Sequence, residues 1–156
     1  MLRIRKVKLT KEKKIMMVYE KKVSMFWDEY QFTSSEDAMP DFYNALFALR
    51  EHVVEMCELP DSYLDRITVK GVSYSYGGEE EVMGATISAS MKLNKSNCDL
   101  NVNTPHKSSE PYAKDCPEDE NQLLSYECVE CLNALANECE SYINGKRAQG
   151  NLFEVA

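Results

Sequence analysis

Two cysteines at helical spacing, Cys128-x-x-Cys131, are the first residues in this sequence whose types could do chemistry. A zinc site normally needs four ligands, often two such pairs, and the chain has no second Cys-x-x-Cys. His106 and Cys116 would join the pair only if the loop before the helix folded over it. Redox pairs normally open a helix after a strand, whereas this pair is read as two to three turns into one. Packing as small apolar groups is the plainer reading, with zinc and redox roles left open. The two histidines are His52, beside the apolar stripe of a helix, and His106, in a polar loop with Thr104, Ser108, Ser109 and Glu110. A loop histidine can bind phosphate or act as a base. Tyr74 and Tyr76 alternate on one strand, where they could stack a base or pack under a helix. Glu79, Glu80 and Glu81 follow a Gly77-Gly78 turn without a spaced oxygen-ligand pattern, so they read as a solvated turn. No nucleophile elbow, phosphate-cradling glycine loop or dinucleotide fingerprint is present. No catalytic residue, metal ligand or cofactor is assigned.

The elements that must position these groups read clearly in places. Residues 2–9 alternate as a strand whose phase slips near Arg5-Lys6, which implies a bulge. Residues 15–19 are apolar on both faces and should lie inside a sheet, and residues 26–33 make a third strand. Pro40 and Asp41 suit the first turn of a helix of four to five turns, with Phe42, Leu46, Leu49, Val53 and Met56 as its stripe. A fourth strand starts at Ile67 and changes phase at Gly71, again implying a bulge. Residues 85–93 alternate strictly, with one face buried and one wet. A short strand spans residues 100–103, and residues 104–111 read as an irregular loop. A long helix is expected over residues 117–144, opened by Glu118, Asp119 and Glu120 and stopped by Gly145. The expectation is an α+β fold in the order βββαβββα: a mostly antiparallel sheet of about six strands, with two helices packed on one face. Residues 1–145 form a single domain and residues 146–156 a flexible tail.

The 156 residues suit one domain, and a 44% apolar share suits a globular one. No stretch approaches the length needed to cross a bilayer, and no signal peptide is read, so the expected compartment is cytoplasmic. The six cysteines are then expected to be reduced thiols. The net charge of −8 hides a split: residues 1–22 hold nine bases and two acids, and the remainder nine bases and 24 acids. Arg3, Arg5, Lys6, Lys8, Lys13 and Lys14 could contact phosphates, because a local patch acts within a Debye length of about 8 Å. The alternative is an edge hairpin whose lysines guard against aggregation.

Gln149-Gly150-Asn151-Leu152-Phe153 resembles the Gln-x-x-Leu-Phe peptide by which bacterial replication and repair proteins dock on the sliding clamp. The resemblance implies Leu152 and Phe153 as apolar anchors and Gln149 as a hydrogen-bonding rim residue. The alternative is a hydrophobic clasp in which Leu152 and Phe153 fold back on the domain. More broadly, residues 71–76, 83–89, 103–107 and 145–153 are similar to those of small proteins in phage and prophage replication and recombination modules. That likeness implies the cytoplasm of a host bacterium. Three functions follow as expectations. The first is a non-catalytic accessory protein that binds nucleic acid or a protein partner and docks on the clamp. The second is a phage counter-defence protein that holds a nucleotide signal in a pocket of Tyr74, Tyr76 and His106, or inhibits a host enzyme. The third is a small metal-dependent hydrolase or nuclease using His106. No membrane partner is expected, and homo-oligomerisation is left open.

Overall fold

A computed structural model describes residues 1–111 and 120–148. The strands are β1 (Leu2–Leu9), β2 (Ile15–Val23), β3 (Phe26–Ser34), β4 (Ile67–Gly77), β5 (Val82–Met91), β6 (Leu100–Asn103) and β7 (Lys107–Ser108). They form one antiparallel sheet in the order β3-β2-β1-β4-β5-β6, with β7 also paired to β5. The helices are α1 (Pro40–Phe47), α2 (Arg50–Met56) and α3 (Tyr126–Ile143). α1 and α2 pack on β4, and α3 packs on β1 and α1. The expected α+β architecture is therefore observed.

Both bulges fall where the alternation slips. The β1–β2 register shifts between Ile4 and Lys6, which returns Ile4 and Val7 to the same buried face. The β4–β5 register shifts between Val69 and Gly71. Gly71 is needed there because β1 crosses closely: a Cβ would stand 2.3 Å from the Val7 carbonyl oxygen. The core then forms between the sheet and the helices. Phe42, Leu46, Leu49 and Val53 supply one helical stripe, and Leu132, Leu135, Cys139 and Tyr142 the other.

The structure corrects three expectations. The helix beginning at Pro40 is two segments, because the ladder tightens to a Leu49 N–H to Leu46 carbonyl bond at 3.2 Å. Ala48 and Leu49 nonetheless stay right-handed helical. The long helix begins at Tyr126, with Glu120–Gln122 forming only a 3-10 turn; residues 117–119 lie outside the described residues. Ser125 sets the start, since its hydroxyl accepts the Cys128 amide at 3.2 Å as an N-cap. One residue earlier, the Leu124 amide donates to the Ser108 carbonyl at 2.9 Å, which holds the chain against the sheet instead of in a helix. Finally, Lys107–Ser108 is a short strand inside the stretch read as an irregular loop.

Gly145 ends α3 with φ +106. Residues 146–148 then bond back to the domain. The Ala148 amide donates to the Asp37 carbonyl at 3.0 Å, and Arg147 Nε reaches Glu36 Oε2 at 2.5 Å. Among the described residues, no helix is long and apolar enough to cross a membrane.

Candidate functional site

All three helices pack on the buried face of the sheet, and among the described residues no helix covers the face that carries Lys6 and Lys8. The bulge between Ile4 and Lys6 puts both Ile4 and Val7 in the core and turns Lys6 and Lys8 outward. Residues directly opposite share a face, so Lys6 stands between Val18 and Ser73, and Lys8 beside Met16 and Gly71. Lys70 is exposed at the β4 bulge, and Ser73 and Ser75 continue the polar face. Lys6, Lys8 and Lys70 make no ion pair among the described residues. The helical side is opposite in charge. α3 carries Glu127, Glu130, Glu138 and Glu140 and no base.

The six basic candidates separate into two groups. Arg3 is a structural cation: its Nε meets Glu20 at 3.0 Å, and its Nη1 meets Glu81 at 3.2 Å. Its guanidinium also lies 3.8 Å from the Trp27 ring centre and 4.6 Å from that of Tyr76. Arg5 lies 3.7 Å from Glu20, and Lys14 lies 3.4 Å from Glu12. Lys6 and Lys8 face solvent from the sheet, and Lys13 is exposed in the β1–β2 turn at φ 62.

Tyr74, Tyr76 and His106 do not converge on one pocket. Tyr74 is buried, and its hydroxyl donates to the Leu132 carbonyl at 2.7 Å. Burial holds its pKa well above the phenolic range. The Tyr76 hydroxyl donates to the Ile4 carbonyl at 2.9 Å, and burial raises its pKa against the pull of Arg3. His106 lies across the sheet from Tyr74. Its Nε2 is 2.7 Å from the hydroxyl of Ser75, which points away from its neighbour Tyr74. The pair rests on Gly84, where a Cβ would come within 2.8 Å of both partner atoms.

Cys128 sits in the first turn of α3 because the helix starts late, not two to three turns in. Its position still does not make it a thiolate. Burial pushes the thiol up to about 12, with Cys131 and Glu55 adding and Lys107 opposing. Burial raises Cys131 and Cys139 as well. Cys128 and Cys139 pack as core side chains, as their types suggested. Among the described residues, Cys57, Cys98, Cys128, Cys131 and Cys139 are free thiols, and no cluster of His, Cys, Asp or Glu is arranged to hold a metal.

A cleft of about 980 Å³ that sequence reasoning missed opens between α2, residues 105–107 and residues 121–126. His52 lines it and is only 8% exposed. No spacing within one segment marks the cleft, because its other walls come from residues 105–107 and 121–126 and Glu58 lies past the end of α2. Gln149, Leu152 and Phe153 lie outside the described residues. No protein-family model, curated protein or solved structure matches the chain.

Proposed function

We propose that this is a non-catalytic accessory protein that holds nucleic acid against the uncovered sheet face and docks on a bacterial sliding clamp through Gln149, Leu152 and Phe153. One observation carries the nucleic-acid half: Lys6 and Lys8 stand on a central strand of the open face and make no ion pair among the described residues. Lysines that guard a sheet against aggregation belong on edges, and β1 is hydrogen-bonded on both sides. Guarding therefore does not account for them, while phosphate contact does. The hydroxyl of Ser73 beside Lys6 adds a neutral phosphate donor. Arg3, Arg5 and Lys14 are engaged with acids, which narrows the phosphate contacts to Lys6 and Lys8, with Lys13 and Lys70 at the margins. The clamp half rests on the sequence of the pentapeptide, and its setting would be replication or recombination in a bacterium, including a phage-borne role.

Fluorescence anisotropy with a single-stranded oligonucleotide tests the first half. Affinity should fall steeply with salt. Lys6→Gln/Lys8→Gln should flatten the logarithmic salt slope by about 1.4, near 0.7 per lost contact. An unchanged affinity and slope in the variant would remove the open face as the interface. Calorimetry against the clamp, with Leu152→Ala/Phe153→Ala as the control, tests the second half independently.

A further inference from the structure

The cleft beside α2 is chemically unlike the open face. Glu51 and Glu55 are one helical turn apart, about 6 Å along the axis. Like charges at this spacing repel and weaken a helix unless a counter-charge intervenes. Glu58 follows just past the end of α2, and Glu127 faces them from the first turn of α3. Glu55 and Glu58 line the larger cleft. Glu51, Glu55 and Glu127 line an adjoining one of about 390 Å³, and His52 lines both. None of these four acids makes an ion pair among the described residues. Lys107 also lines the larger cleft, with its ammonium donating to the Asn121 carbonyl at 2.9 Å.

His52 is the independent sign of a ligand. It is more than nine-tenths buried, and its side chain has no hydrogen-bond partner among the described residues. No fully enclosed side-chain nitrogen or oxygen there lacks a partner, so the ring nitrogens of His52 keep access to the cleft. A ligand donor in the cleft can therefore reach a ring nitrogen of His52 that no protein group among the described residues occupies. The adjoining carboxylates ask for cationic donors in a row. Met56 and Leu123 give the larger cleft apolar wall.

We infer that the joined clefts bind a linear polyamine, its ammonium groups on Glu51, Glu55 and Glu58 and one N–H donated to His52. The alkyl stretches lie against Met56 and Leu123, and the volume suits a small organic ligand. Calorimetry on the full chain at low salt, with spermidine as the probe, decides the matter. The expected result is one-site binding, weakened about tenfold or more in Glu55→Gln/Glu58→Gln. Asp28→Asn/Glu29→Gln removes the same charge from the exposed strand β3, and its affinity should stay within about twofold of the parent. Four results overturn the inference: no heat with millimolar spermidine; equal weakening in both variants, the mark of attraction to net charge alone; magnesium chloride displacing spermidine as well as sodium chloride does at a far lower ionic strength; or inorganic phosphate binding in its place.

Discussion

The hydroxyl of Tyr74 donates a 2.7 Å hydrogen bond to the carbonyl of Leu132 and so joins β4 to the middle of α3. Both residues are almost fully buried, at 3% and 0% exposure. The bond fixes which way the strand's aromatic faces, and it takes Tyr74 out of any ligand site.

Tyr74→Phe should therefore act on stability and leave binding alone. Loss of the bond should cost about 1 kcal/mol, with the urea midpoint lowered and the slope unchanged. Oligonucleotide affinity should match that of the parent protein. A binding defect without a stability defect would restore Tyr74 to the interface.

Two glycines should respond very differently to alanine. At Gly71 the new Cβ meets backbone, the Val7 carbonyl oxygen at 2.3 Å. Gly71→Ala should cost about 1–3 kcal/mol or more by thermal unfolding, because β1 and β4 must move apart. At Gly84 it meets only the ends of His106 and Ser75, at 2.8 Å each. Gly84→Ala should keep most of the stability and release the His106 ring from Ser75, read as a shift of its ring-proton NMR signals.

Alkaline pH should weaken the fold through its buried thiols. The Cys128 thiol titrates near 9.0 when unfolded and at about 12 when folded. Its stabilisation is complete below pH 9 and is lost as pH rises from there towards 12. The slope contributed is about −1.4 kcal/mol per pH unit. Urea midpoints followed from pH 8 upward should fall more gently in Cys128→Ala, after allowance for its lower starting stability. An identical pH slope in the two proteins would mean that Cys128 is not buried as described.

Arg147 should govern how much chain beyond α3 is free. It pairs with Glu36, donates to the Tyr142 carbonyl and stacks 3.5 Å from the centre of the Tyr142 ring. Arg147→Ala should cost about 1 kcal/mol or less overall. Its clearer effect should be local: faster hydrogen exchange at the Ala148 amide, which bonds to Asp37. Unchanged protection would show that the backbone bond holds by itself.

Much of this fold was legible from period and punctuation. Strict alternation marked β5, and phase slips at Arg5-Lys6 and at Gly71 located both bulges. Pro40 marked the start of α1. The start of α3 was misread because Glu118, Asp119 and Glu120 imitate an acidic first turn, while Ser125, the actual cap, sits among polar and apolar residues with no such emphasis. β7 is stabilised by pairing with Gly84 and Ala85, a tertiary fact without local pattern. The candidate sites suffered for the same reason. Only strand pairing shows that Tyr74 and His106 belong to opposite faces, or that Lys6 and Lys8 stand mid-sheet. The cleft needs two loops brought beside α2, which no spacing within one segment reveals.

The central position of β1 also bears on the order of folding. β1, β2 and β3 can form a meander from neighbouring chain, as can β4 with β5, but Lys6 must find Ser73 across the whole intervening segment. Closing so long a loop is entropically costly, and sheets that depend on it fold slowly. The β1–β4 seam should therefore close late, joining two preformed halves. Lys6 and Lys8 lie on one side of that seam and Lys70, Ser73 and Ser75 on the other, so the polar face is the product of the last step and neither half would carry it alone.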